Sequence, residues 1–150
     1  MNNRIPPPLV GIVVLAIAWL VARHVPALGF DLPARQWIAG IIGLSGLLID
    51  LTAAGAFAKI GTTVNPLSPE KTEKLVVSGL YRFTRNPMYL GMALMALAWG
   101  LWQENFGSVA CVALFVAYIT QFQIKPEEAA LAEKFGDQFR EYRARVRRWI

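Results

Sequence analysis

The chain has 150 residues, 55% of them hydrophobic and 17% charged, with a net charge of +5 and one cysteine. That length suits one domain, and that balance excludes an ordinary soluble core in favour of a membrane protein. The lone Cys111 excludes an intrachain disulfide, and anionic lipid headgroups account for the basic excess without nucleic acid as a partner.

The first apolar run, Ile5 to Ala22, carries no charge. Pro6-Pro7-Pro8 opens it, where a missing N–H costs a helix little. Only one positive side chain, Arg4, precedes the run, and no clear small-x-small site follows. This predicts a retained first helix over about 8–24 and not a cleaved leader. Pro26 and Gly29 break it, and Trp19 and Trp37 flank a short outer loop, as interfacial tryptophans do. The second span, about 36–58, holds a single charge, Asp50. Its Gly40, Gly43, Gly46, Ala53, Ala54 and Gly55 would let a neighbouring helix approach closely.

Lys59 to Arg85 is the longest polar stretch, with turn chemistry at Thr62-Thr63-Val64-Asn65-Pro66 and Ser68-Pro69. A loop longer than about 12 residues in a compact domain is usually functional or disordered. The third span, about 87–103, starts on Pro87, and the fourth covers about 107–124. Their tight connection forces an antiparallel hairpin, and Cys111 reads as a small buried apolar residue. A spanning helix needs roughly 20 apolar residues. These runs predict an all-α integral membrane bundle of four transmembrane helices, with residues 1–150 as one domain and backbone polar groups satisfied within each helix.

Pro126 would break or restart the helix after the fourth span. Glu127 and Glu128 then fall in the first turn that follows, which suits the helix dipole. Leu131, Phe135, Phe139, Tyr142, Val146 and Trp149 recur at helical spacing. They predict a C-terminal amphipathic helix over about 126–149, either resting on anionic lipid with Arg140, Arg143, Arg147 and Arg148 off the stripe, or acting as a lid. Gly136 counts against one straight helix. If the N-terminus is cytoplasmic, every Lys and Arg except Arg23 and Arg35 lies on the inner side. The expectation is a multi-pass protein with both termini cytoplasmic.

No metal constellation, GxSxG, GxGxxG or Walker loop occurs. What remains is the block Leu75 to Gly91 and the acidic pair Glu127-Glu128, which would meet at one membrane face. Gly79 permits a positive-φ turn. Asn86, before Pro87, is pushed out of the helical region and held at the mouth of helix three. Arg82 and Arg85 supply cations, and Tyr81 and Tyr89 supply aromatic faces with polar tips. These parts suit a zwitterionic ligand with an aromatic base: arginine or helix-start N–H groups for its carboxylate, and Glu127 for its hydroxyls or ammonium. The plain alternative is an interfacial cap at Arg-Asn-Pro and a solvated first turn at Glu-Glu. Asp50, an acid within a span, is a functional candidate by default. It would reach the polar site, pair with Lys59 or a backbone group, or serve as a neutral structural acid.

Gly79-x-Tyr81-x-x-x-Arg85-Asn86-Pro87-x-Tyr89-x-Gly91, followed by Glu127-Glu128 and Phe135-Gly136-x-x-Phe139-x-x-Tyr142, resembles the isoprenylcysteine carboxyl methyltransferase family. That group is related to the phospholipid N-methyltransferases and has the signature Arg-His-Pro-x-Tyr with a later Glu-Glu. The resemblance covers roughly Thr62 to Trp149. It implies S-adenosylmethionine as cofactor, held by Leu75, Val76, Tyr81, Asn86, Pro87, Met88, Tyr89 and Glu127, with Glu128 completing the acidic pair. Arg85 and Glu127 are expected to orient the reacting groups. The acceptor would be lipophilic or prenyl-like, entering from the bilayer, with Gln123 and Asp50 on its side. Two departures stand out. Asn86 replaces the signature histidine and cannot titrate near neutral pH. Gln123 replaces an arginine four residues before the cofactor-binding glutamate, which puts a prenylcysteine carboxylate in doubt. Phospholipid N-methylation is the alternative. From other classes, a sterol-reductase-like protein and a non-catalytic membrane partner compete; the former are far longer, and no nicotinamide fingerprint occurs here.

Overall fold

The computed structural model describes residues 5–60 and 75–150, with the side chains at 57–60 left aside. The turn chemistry expected between Thr62 and Pro69, the charges from Glu70 to Lys74, and a pairing of Asp50 with Lys59 lie outside the described residues. Among them the architecture is helical: α1 Pro7–His24, α2 Arg35–Ile60, α3 Pro87–Trp102, α4 Phe106–Ile119 and α5 Lys125–Arg145. A 3-10 turn, Gly79–Arg82, precedes α3, and a π turn, Thr120–Ile124, joins α4 to α5.

Three helices are long and apolar enough to cross a membrane: Pro7–His24, Arg35–Ala56, and the continuous α4–α5 rod from Phe106 to Arg145. The charged residues of that rod all lie from Lys125 onward, so its apolar part is α4 with the π turn. α3 is shorter but apolar. Leu9, Ile12, Ile41, Leu44, Leu51 and Leu114 point outward, each about half exposed or more. Water would not tolerate that surface and lipid does; the protein is a membrane helical bundle.

α3 sits at the centre, against α2 on one side and α1 and α4 on the other. Its small residues explain how the shortest span takes the innermost place. Gly91, Ala93, Ala96, Ala98 and Gly100 are buried, and they let three neighbours approach its backbone. The tightest approach is Gly46 of α2 against Gly91. A Cβ on Gly46 would lie 2.6 Å from the Gly91 carbonyl oxygen, and one on Gly91 would lie 2.5 Å from that of Gly46. This crossing also sets Asp50 against Gly91, since the same Cβ would meet the Asp50 backbone N at 3.0 Å. The α1–α4 seam is filled by Val10, Val14, Ala18, Cys111, Phe115 and Ile119. Cys111 is buried there, as its size suggests.

The end where α1 and α3 finish, called the outer end after the orientation expected from the sequence, is closed by polar stitching. Asn105 caps α4 by accepting from the Ser108 N–H (3.1 Å), and its amide donates to the Val25 carbonyl (3.0 Å). Ser108 Oγ donates to the Ala18 carbonyl (2.6 Å). Glu104 receives the Leu32 N–H and pairs with Arg35. Trp19, Trp37 and Trp102 expose their rings at this end, as an interfacial belt does.

Two expectations at the other end need correction. Pro126 does not break the rod. It lacks an N–H, and the helix absorbs the defect one residue earlier by widening: Lys125 N–H reaches back to the Thr120 carbonyl, a π-type bond. The break comes at Gly136, whose φ of 51° and ψ of −121° lie outside the helical region. The final helix also stops at Arg145, not near 149. Val146 is extended, with φ −119° and ψ 131°. The apolar repeat misled because Val146 and Trp149 keep helical spacing although the chain leaves the helix at Val146.

The Gly46–Gly91 crossing yields a prediction. Gly46→Ala and Gly91→Ala should each destabilise the bundle by about 1–3 kcal/mol, the usual result of forcing a methyl into a packed site. Gly40→Ala and Gly55→Ala, with nothing within 4 Å of the added carbon, should leave the melting temperature in detergent unchanged or slightly raised.

Candidate functional site

The end of the bundle where α3 and α5 start, called the inner end after the orientation expected from the sequence, gathers the polar motif. Gly79 takes φ +62°, which an L side chain rarely adopts, and so turns the chain into Tyr81. Tyr81 is buried beside Val76 and Ala53, with Met88 and Leu80 packed around them. That cluster ties the segment before α3 to the inner part of α2. Asn86 has the non-helical φ −130° and ψ 55° expected before proline. Pro87 then starts α3 and aims Tyr89 toward α5.

The acidic pair divides its labour. Tyr89 donates its hydroxyl to Glu127 Oε1 at 2.7 Å, and Glu127 stays half-buried. Glu128 is nearly closed off and lies between two guanidinium groups. Arg148 donates to both its oxygens, at 3.0 and 2.7 Å. Arg85 donates to Oε1 at 3.3 and 2.7 Å. Burial alone would raise the Glu128 pKa. The hydrogen bonds from Arg148 and Arg85 and their charges outweigh it, holding the carboxyl below the usual carboxylate range.

Arg85 also donates to the backbone carbonyls of Arg143 and Val146. Arg85, expected to orient the reacting groups, has a side chain 9% exposed that spends these donors within the protein. Glu128, expected beside the cofactor, accepts from the two arginines on both oxygens. Asn86 donates its amide to the Arg148 carbonyl at 2.9 Å, so its N–H face points at the chain itself.

Gln123, expected near the acceptor, is 1% exposed. Its Nε2 donates to the Ile5 carbonyl at 2.6 Å. That carbonyl lacks a helical donor because Pro8 has no N–H and the Leu9 N–H goes to Pro6. This bond orients the amide and leaves Gln123 Oε1 buried without a donor among the described residues. Asp50 is half-buried, and its charge reaches Tyr81 together with that of Glu127.

Tyr142 donates its hydroxyl to the Tyr81 carbonyl at 2.8 Å. Burial pushes Tyr142 up to about 12, with Arg85 pulling the other way. Burial, then Tyr142, Asp50 and Glu127, push Tyr81 higher still. Both phenols stay neutral at physiological pH and serve as hydrogen-bonding groups, not bases. Leu75 packs with Phe139, Tyr142 and Val146, so much of the C-terminal apolar stripe faces protein and not lipid. The described residues contain no cluster able to hold a metal.

Sequence reasoning missed Thr84, Tyr142's hydroxyl and Arg148. Arg148 was grouped with headgroup-facing arginines because helical spacing was extended past Arg145. The Arg-Arg-Trp run offers no signal of which arginine turns inward.

The ion cluster makes acid stability testable. Glu128's folded pKa is lowered, so its contribution is fully present above about 4.3, the unfolded value, and lost as pH falls through the folded value. Glu128→Gln should flatten that acid limb of the melting temperature in detergent. Glu128→Ala should cost about 2–4 kcal/mol near neutral pH, less than a fully buried pair because Arg148 keeps part of its side chain in solvent.

Comparison with known proteins places this geometry. A Haemophilus influenzae protein described only as uncharacterized is 48% identical over 63 residues, 42% of this chain and all of that protein. The protein-S-isoprenylcysteine O-methyltransferase of Schizosaccharomyces pombe is 30% identical over 96 residues, covering 62% of this chain and 41% of that protein. A probable protein-S-isoprenylcysteine O-methyltransferase of Oryza sativa subsp. indica is 28% identical over 142 residues, 89% of this chain and 72% of that protein. The match to phospholipid methyltransferases runs over residues 34–138, from α2 through the inner site to the Gly136 bend, and the chain therefore belongs to that family of membrane methyltransferases.

Proposed function

We propose that the chain transfers a methyl group from S-adenosylmethionine to a lipid-like acceptor at the inner membrane face, in the manner of an isoprenylcysteine carboxyl methyltransferase. The observation that carries this reading is the Glu127–Tyr89 pair. Among the polar groups of the motif, Arg85 and Glu128 are bonded to each other, and Glu127 is a half-buried carboxylate that accepts from the Tyr89 hydroxyl. That combination fits a cationic, hydroxyl-bearing ligand with an aromatic base. S-adenosylmethionine would supply an electrophilic sulfonium methyl. Leu75, Val76, Met88 and Tyr81 would form the apolar wall against it. Glu127 and Tyr89 would orient its polar part, and the Asn86-Pro87 start of α3 would set the floor. A reaction that neutralises charge gains from a dry site and from positioning more than from acid–base chemistry. The neutral Tyr81 and Tyr142 agree with that emphasis.

On the acceptor side we place Gln123 and Asp50. Gln123 Oε1 is a buried acceptor lacking a donor among the described residues. It favours an acceptor carrying N–H or O–H groups over a carboxylate, which would meet its lone pairs unfavourably. This supports phospholipid-type amine methylation as the second reading. The proposed topology is one domain with four crossings and both termini cytoplasmic. It rests on the one-sided distribution of Lys and Arg and on the enclosure of α3 by α1, α2 and α4.

Calorimetry in detergent should detect binding of S-adenosylhomocysteine. Glu127→Ala should weaken it by about 1.5–3 kcal/mol, the loss of a charge-assisted hydrogen bond, and Tyr89→Phe by about 0.5–1.5 kcal/mol. Unchanged affinity in a folded Glu127→Ala protein would remove Glu127 from the site. Cysteines introduced near Asp31 and Asn105 should react with an impermeant label from outside the cell, and one near Ser68 should not; the reverse pattern would refute the orientation.

A further inference from the structure

We infer that the segment Val146–Trp149 is a strap that fixes the rotation of α5, and that Arg148 is a positioning residue acting on Glu127 through Glu128. This inference rests on the proposed donor site only in taking Glu127 as the ligand-facing carboxylate.

The strap begins where the chain leaves the helix. Val146 is extended, and Thr84 and Arg147 form a parallel bridge. Three consecutive carbonyls then receive donors from the Thr84–Asn86 motif. Val146 accepts from the Arg85 guanidinium, and Arg147 from the Arg85 backbone N–H at 2.9 Å. Arg148 accepts from Thr84 Oγ1 at 3.2 Å and from the Asn86 amide at 2.9 Å. The polar motif at the start of α3 is thus largely occupied by the chain's own strap. Val146 is buried, Arg147 is exposed, Arg148 turns in to Glu128, and Trp149 donates to Thr120 Oγ1 at 3.1 Å.

The effect on the site follows from helix geometry. Glu127 and Glu128 are adjacent, about 100° apart around α5. A carboxylate gripped on both oxygens by Arg148 therefore sets the direction in which Glu127 projects. This part of α5 needs such a pin. The π turn at Thr120–Ile124 loosens it at one end and the non-helical Gly136 at the other. Released from Arg148, the first turn of α5 would rotate and carry Glu127 away from the Tyr89 hydroxyl.

The test compares full-length wild type, Arg148→Ala, Arg148→Lys, Arg147→Ala and Glu127→Ala in detergent. It uses calorimetry with S-adenosylhomocysteine and amide hydrogen exchange over residues 125–135 without ligand. Arg148→Ala should lower affinity at least tenfold and speed exchange. Arg148→Lys, which keeps the charge but not the two-pronged geometry, should recover part of both. Arg147→Ala should change neither more than twofold. In the Glu127→Ala background, Arg148→Ala should cause little additional loss, because both act through one carboxylate; a merely destabilising change would add in full. Wild-type affinity in Arg148→Ala, or full additivity, overturns the inference. If wild type itself binds no S-adenosylhomocysteine, the donor assignment fails, and exchange alone judges the strap: faster exchange in Arg148→Ala sustains it, and unchanged exchange overturns it. Should Arg148→Ala fail to fold, Arg148→Lys decides in the same way, an intermediate loss sustaining the strap and none overturning it.

Discussion

The inner half of this protein depends on one buried carboxylate. Glu128 holds two guanidinium groups from distant parts of the sequence, Arg85 before α3 and Arg148 after α5. Burial opposes the charge on Glu128, and the hydrogen bonds and charges of the two arginines outweigh it. Together they form a charge-balanced knot where the segment before α3, the start of α5 and the strap converge. Beside the knot, Glu127 accepts from the Tyr89 hydroxyl of α3.

The membrane-embedded half depends on something different. Lipid offers no hydrophobic drive between helices, so close backbone packing must hold them. The Gly46–Gly91 crossing provides it and does a second task. It brings Asp50 against the first turns of α3, within electrostatic reach of Tyr81. Packing and chemistry therefore share a residue: Gly91 belongs to the polar motif but works as a packing surface. Gln123 shows a similar sharing. Its amide stitches the proline-rich start of α1 to the π turn, at the level where an acceptor would lie.

Helix existence and most boundaries were legible in the sequence. Spanning length is set by bilayer thickness and helix rise, and prolines and polar breaks mark the ends. α1 to α4 begin and end within a few residues of where the apolar runs do. The turn at Gly79 and the bend at Gly136 were legible too, because few residues adopt positive φ. The end of α5 was not. Periodicity reports which side chains share a face, and Val146 and Trp149 continue that pattern while the carbonyls of Val146, Arg147 and Arg148 are captured by Arg85, Thr84 and Asn86. A capture by residues some sixty positions away leaves no local trace.

The sequence by itself determined the class of molecule, the inner clustering of the polar motif and the acidic pair, and the kind of ligand those groups suit. Residue types and spacings carry that information, because charge, apolar length and backbone conformation are local properties. Only the tertiary structure decided which member of each pair does what. It paired Glu127 with Tyr89 and Glu128 with two arginines, turned Arg148 inward and Arg147 outward, and bonded the Asn86 amide to the strap. Identical neighbours in sequence diverge in role because one helical step turns a side chain by about 100°, and only the packed chain says which direction meets a partner.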